Sequence, residues 1–181
     1  MPSFTHRVRL HFTSLSLTNV PFSIHLAKAQ EVYAQYGIKI EYRSGVSLGL
    51  SEEEARRFEQ VDGRCVWNVN EGEYREIQDL GGPVSSTDIS VYYVNRFSSG
   101  SLGCGGHLRG RPACIVAASG SKWTTAHEVG HVLLGSSFSP VHESSTHNLM
   151  YRSTPGITWA LPILTRAQVT QIKNSPSCVR I

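Results

Sequence analysis

The sequence has no Cys-x-x-Cys pair, no apolar run approaching eighteen residues, and no run of basic residues interleaved with aromatics. The first absence argues against a cysteine zinc site, which is usually built from such spaced pairs. The second excludes a helical membrane span. The third gives no reason to expect a nucleic-acid partner, because the net charge is only +3, from scattered side chains. Repeats, low-complexity tracts and linkers are also missing, so the 181 residues read as one domain with two lobes around a cleft. The opening "MPSFTHRVRLHF" lacks the apolar segment and small-residue cleavage site of a secretory signal. The expectation is a mature chain carrying a new Met, or export by a route that needs no signal.

Four cysteines are present, Cys65, Cys104, Cys114 and Cys178, enough for two disulfides. Cys104 and Cys114 bracket the Gly-rich "CGGHLRGRPAC". That arrangement suggests a loop-closing bond in an oxidising compartment, leaving Cys65 and Cys178 to pair across the chain. The plainer alternative is four reduced thiols.

Hydrophobic periodicity places the elements. Val8, Leu10 and Phe12 alternate with Arg7, Arg9 and His11, which predicts a half-buried strand. Pro21 opens a helical pattern that Gly37 stops, and "IKIEYR" alternates as a second strand. Ser51 with Glu54, and Thr165 with Gln168, form capping boxes before a short polar helix and a final helix. Residues 62–88, with Pro83, read as mixed and turn-rich. "DISVYYVNRF" is the best strand, "SSGSLGCGGHLRGRP" a loop, and "ACIVAAS" a short buried strand. A helix after Ser121 runs through "TTAHEVGHVLL" to Gly135. Strands and helices in this order predict an α+β domain with one mixed sheet.

The chemistry concentrates in "TAHEVGHVLLGSSFSPVHESSTHNLMY", Thr125 to Tyr151. Helical residues four apart share a face, so His127 and His131 can direct two imidazoles at one metal. Glu128 stands on the adjoining edge, where it can take a proton from a water and pass it to a leaving amine. This is the H-E-x-x-H pattern of zinc peptidases. A catalytic zinc takes three protein ligands and keeps one position open. His142, Glu143 and His147 are the candidates for the third place, and the residues by themselves leave all three open.

The stretch resembles the metzincin metalloproteases, which carry H-E-x-x-H-x-x-G-x-x-H before a methionine-containing turn. Here "HEVGHVLLG" precedes "NLMY", with Gly135 one residue late and Ser137 where a strict match has histidine. His142 stands eight residues before Met150. In the matrixin branch the third histidine lies at about that distance, and "LMY" is the usual wording. The resemblance therefore implies one catalytic Zn2+ held by His127, His131 and His142, after an insertion of five residues. The intervening "SSFSPV" can span up to roughly 20 Å, with Pro140 stiffening the approach. Glu143 would match a gluzincin-like site, whose glutamate comes from a second helix; His147 stands close to the turn. The resemblance further implies a twisted mixed sheet, an active-site helix, a Met-turn and a C-terminal helix, for which "PILTRAQVTQIKNS" has the pattern. The upper lobe would take residues 1 to about 135 and the lower lobe about 136–181. The matrixin pro-segment cysteine and calcium-binding aspartates have no counterpart.

By the same resemblance Met150 is a soft apolar platform under the histidines. Tyr151 is a candidate donor to a tetrahedral intermediate, like the tyrosine of astacin-like enzymes, although it follows the methionine by one residue and not two. Trp159, in "PGITWAL", is a candidate wall for the side chain just after the cut bond. Packing is the plainer role for both. The strand from Ile89 to Phe97 and the Gly-rich loop after it occupy the place where metzincins bind an extended peptide. His107 reads as solvent-exposed and Trp123 as core. The expected function is a monomeric zinc endopeptidase, secreted or extracytoplasmic, acting on protein or peptide substrates. One alternative is an antibacterial effector-type metallopeptidase cutting envelope or peptidoglycan peptides, with an inhibitor or immunity protein as partner. Another is a zinc-stabilised binding or toxin module without catalysis, against which an intact Glu128 argues.

Overall fold

In the computed structural model, which describes residues 3–62, 64–69, 72–82 and 84–181, the alternating N-terminal segment forms strand β1 (His6–Ser14). Pro83 lies outside the described residues. Helix α1 (Phe22–Ala34) follows, then strand β2 (Ile38–Ser47). Helix α2 (Glu52–Arg57) starts at the expected capping box: Glu54 N donates to Ser51 Oγ at 3.2 Å, and Ser51 N to the Glu54 carboxylate at 2.8 Å. Next come β3 (Gln60–Val61), α3 (Gly72–Leu80), β4 (Ile89–Val94) and β5 (Arg96–Phe97). Strands β6 (Gly103–Cys104) and β7 (Ala113–Ala117), helix α4 (Thr124–Leu134), a 3-10 turn (Thr154–Gly156), α5 (Arg166–Lys173) and β8 (Val179–Arg180) complete the chain.

The main sheet has the order β2-β1-β4-β7-β6, with β8 also on β1. Pairs β1–β2, β1–β4 and β4–β7 are parallel; β6–β7 and β1–β8 are antiparallel. Both faces of the central strands are buried, as their unbroken apolar runs require. Ile89, Val91, Tyr93, Cys114 and Val116 face the core shared with α1 and α4. Tyr92, Val94, Ala113, Ile115 and Ala117 face a second core that holds Tyr74 and Ile77 of α3. The result is a mixed α/β fold around a central, mostly parallel sheet, further toward α/β than the expected α+β class.

Three expectations are corrected. Residues 62–88 hold α3, whose Tyr74, Ile77 and Gln78 are buried at helical spacing on an otherwise charged segment. The Gly-rich loop holds β6. Cys104 bonds Cys65, not Cys114, while Cys114 and Cys178 are free and buried. The reason is register: Cys104 pairs with Ile115. Successive strand side chains point to opposite faces, so Cys114 projects into the other core. Burial pushes the Cys178 thiol up to about 11 and that of Cys114 well above its ordinary range, so neither is a reactive thiolate.

His25 of α1 is fully buried against Tyr93, and among the described residues neither ring nitrogen has a hydrogen-bond partner. Burial lowers its pKa from 6.5 to about 4. The unfolded chain therefore takes up this proton first as pH falls. The stability His25 contributes as a neutral ring is complete above about pH 6.5 and is lost as pH falls to about 4, by at most about 3 kcal/mol. Urea unfolding of metal-free His25→Leu protein should show a flatter decline across that window than the wild type. Equal declines in the two proteins would remove His25 as a cause.

Candidate metal centre and cleft

Helix α4 turns Ala126, Val129 and Leu133 into the core and leaves His127, Glu128 and His131 facing a cleft. It ends at Gly135, whose φ of 73° suits a residue without Cβ and whose N–H bonds the His131 carbonyl at 3.0 Å. The chain then returns past a cis Ser139–Pro140 peptide to bring in His142. His131 Nε2 lies 3.0 Å from His127 Nε2 and 3.1 Å from His142 Nε2. Among the described residues this is the one cluster of three or more His, Cys, Asp or Glu side chains with metal-ligand spacing.

The donor set fits a metal. His127 Nδ1 donates to the Leu149 carbonyl at 2.7 Å, so its Nε2 presents a lone pair to the cluster. His131 Nε2 can donate to only one of its two neighbours, so hydrogen bonding alone leaves the centre unsatisfied. Tetrahedral zinc–nitrogen bonds of about 2.0–2.1 Å imply nitrogen–nitrogen edges of roughly 3.3 Å, near the separations found. Burial is the largest cause lowering all three pKa values: His127 to about 4, His131 to about 2, and His142 below its ordinary value. The rings are thus neutral at neutral pH, the state in which imidazole ligates.

The turn beneath the cluster is bonded on every side. Asn148 Oδ1 accepts from Met150 N at 2.7 Å, and Asn148 Nδ2 donates to Gln168 Oε1 at 3.0 Å. Gln168 is the capping residue of α5, closing its box with Thr165. Leu149 N donates to Ile163 O, and Glu143 N to Met150 O, both at 2.9 Å. Glu143 thus contributes its backbone beside His142, and its carboxylate is outside the cluster.

Glu128 is buried, and desolvation raises its pKa to about 8. Its carboxyl rests against Gly103 of β6, where any Cβ would overlap it; a Cβ at Gly105 would likewise strike His131. Strand β6 is the end of the sheet path, whereas β4 is enclosed between β1 and β7. The edge available to an extended ligand is therefore the Gly-rich segment, not the Ile89–Phe97 strand.

A strap formed by residues 64–69 makes a further wall. Cys65 bonds Cys104 of β6, and Trp67 O and Val69 N pair with the backbone of His107 at 3.2 Å. Trp67 stands edge-on to His131, ring centroids 6.3 Å apart. His107 is half-buried and bonds Gly105 O at 3.1 Å, in place of the expected solvent exposure. The cleft encloses about 560 Å³, within the range of small-ligand sites. The strap, the segment Gly100–Gly106 and the stretch Arg152–Thr154 line it around the histidines. His147 is exposed and its ring lies tilted against that of Trp159, centroids 4.3 Å apart; Trp159 is itself half-exposed and lies outside the cleft lining. Tyr151 packs its ring beside Gly156 and the main core, also outside the lining. Trp123 is buried, as expected. Trp67 and the strap were missed from sequence; the one local signal was a tryptophan two residues from a cysteine.

No family model matches the sequence, and no curated protein matches it by sequence. By structure the chain is similar to metalloproteinase-II from Bacteroides fragilis, with a TM-score of 0.58 and 14% identity over 95% of this chain and 54% of that one. It thus spans about half the length of that protein. It is also similar to archaemetzincin from Methanopyrus kandleri, with a TM-score of 0.54 and 13% identity over 92% of this chain and 94% of that one. At these identities the likeness shows a shared fold.

Zinc titrated into metal-free protein should bind once per chain and change the Trp67 fluorescence, a change lost in Trp67→Phe. His142→Ala should weaken zinc by about 100-fold or more, and His147→Ala should leave affinity unchanged. The reverse order for the two histidines would overturn the ligand assignment.

Proposed function

We propose that the chain is a metzincin-like zinc endopeptidase. The observation that carries this reading is the convergence of three neutral Nε2 atoms beside a buried glutamate at a free strand edge. The metalloproteinase and archaemetzincin folds support it. His127, His131 and His142 hold one zinc ion, with Met150 as the seat of a Met-turn below them. When bound, zinc supplies Lewis acidity to a carbonyl and lowers the pKa of water at its open position. Glu128, whose ionised form a cation bound beside it would favour, accepts the proton from the attacking water and returns it to the leaving amine. Its carboxyl is largely buried and packs against Gly103 at the edge of the cleft. The β6 edge aligns an extended peptide by backbone hydrogen bonds. The lobes on either side of the cleft are residues 1 to about 135 and about 136–181. Tyr151 and Trp159 lie outside the cleft lining, so this reading gives them no role in the reaction. The Cys65–Cys104 bond points to action in an oxidising compartment. A purely structural zinc site gains nothing from a buried carboxyl next to it, which disfavours a non-catalytic module.

Glu128→Gln should keep one zinc per chain and the fold while lowering cleavage of casein or a quenched peptide by about 10²–10⁴-fold. Full activity in that variant would sink the mechanism. The same change should stabilise the metal-free protein. A carboxyl raised to about 8 is favourable when protonated, and ionisation costs the fold progressively from about pH 4.5 to 8. The gain should therefore be absent at pH 4 and reach a few kcal/mol near pH 8 in urea unfolding with chelator.

A further inference from the structure

Arg152 lies two residues beyond Met150 and lines the same cleft as His127, Glu128, His131 and His142. No other Lys or Arg among the described residues lines it. Its backbone sits on a held segment. Tyr151 N donates to Asn148 O at 3.1 Å, and on the other side Thr154 Oγ1 meets Thr124 Oγ1 of α4 at 2.6 Å. Among the described residues the Arg152 guanidinium makes no ion pair and no hydrogen bond, unlike those of Arg57 and Arg111, which reach Glu76 and Asp79 at 2.6 Å. Unpaired arginines on open surface are ordinary. This one is exposed, but it borders a concave site where glycine backbone and the side chains of Val66, Trp67, Leu102 and Val141 stand beside Ser101 and Thr154. A guanidinium offers five donors in a planar fork matched to a carboxylate, and partial removal from water inside a concave site strengthens such a pair.

We propose that Arg152 reads a substrate carboxylate, so that the favoured peptide carries one close to the bond cut while an apolar side chain lies against Trp67 and Val66. The inference rests on the peptidase reading for its substrate class. Two sources supply the same chemistry: an Asp or Glu side chain within a longer peptide, or a free C-terminus, which would make the activity exopeptidic.

The test uses zinc-loaded full-length protein and quenched peptides in matched pairs: Glu against Gln at each position near the cut, and free-acid against amidated C-termini. Wild-type protein should favour one carboxylate-bearing member by roughly tenfold or more in kcat/KM. Arg152→Gln should bring that ratio toward one, and Arg152→Lys should keep part of it, because charge survives without the fork. Preference for internal Glu identifies a side-chain reader; preference for the free acid identifies an exopeptidase. No preference in the wild type, or the same preference in Arg152→Gln, overturns the proposal. Binding of the same labelled pairs to Glu128→Gln protein, with and without Arg152→Gln, is read by fluorescence anisotropy. If no peptide is cut yet Arg152-dependent discrimination persists in binding, the peptidase reading fails and the role of Arg152 stands. If discrimination is absent in binding too, the role of Arg152 fails.

Discussion

A single hydrogen bond, from His127 Nδ1 to the Leu149 carbonyl at 2.7 Å, ties the two halves of the site together. It fixes the imidazole tautomer, aims Nε2 at the cluster and joins α4 to the turn that carries Met150. The same turn positions His142, because Glu143 N bonds the Met150 carbonyl at 2.9 Å. Asn148 extends the network to Gln168 and so to the cap of α5. Three histidines separated by up to fifteen positions are thus referred to one four-residue turn. The final helix supports them through that turn, by way of the Asn148–Gln168 bond.

Close packing under the cluster explains a residue that helix propensity disfavours. Gly130 lies in the interior of α4, where glycine costs about 1 kcal/mol relative to alanine. A Cβ there would come 2.6 Å from Met150 Sδ and 3.2 Å from the Tyr33 hydroxyl. Tyr33 in turn donates to the Ala126 carbonyl at 2.9 Å and holds α1 against α4. The glycine between His127 and His131 therefore lets the methionine and the first helix approach the backbone there. Glu128 adds a cost of its own, since its buried carboxyl has no ion-pair partner among the described residues. The centre is held by its surroundings against its own local preferences, a common condition of functional sites.

What the sequence made legible was local. Alternation in "RVRLHF", the two capping boxes, the i and i+4 histidines and the Gly135 stop all act within one turn or one strand. The structure has these elements where periodicity put them. His142 was readable only by its distance from Met150, and its meeting with the other two histidines follows from a backbone bond that no local pattern encodes. The failures were non-local. Cys104 and Cys114 are close in sequence, but an antiparallel register sends them to opposite faces. β6 is two residues long and exists because β7 offers it an edge. The strap reaches the cleft through a disulfide across 39 positions. Trp159 follows the turn in sequence, and its ring lies tilted against His147, outside the cleft lining.

The cleft walls are held by forces of different kinds. Residues Gly135 to His142 form a loop anchored by Gly135 N to His131 O and by Glu143 N to Met150 O. Loop-closure entropy grows only logarithmically with length, so a longer return before His142 adds a few tenths of a kcal/mol so long as the second anchor persists. The site therefore tolerates a displaced third histidine: its position is set from the Met150 turn, not from the end of α4. The strap wall is covalent. Closing a loop of this size restricts the unfolded chain by about 3–4 kcal/mol in the chain-entropy account, with no help from a metal. If a metal is held as proposed, its removal leaves Trp67 tethered beside His131 but takes away the attraction that gathers His142 to its partners. On the proposed reading, metal and disulfide act on separate sides of one cleft, the first gathering the three histidines and the second keeping Trp67 in the wall.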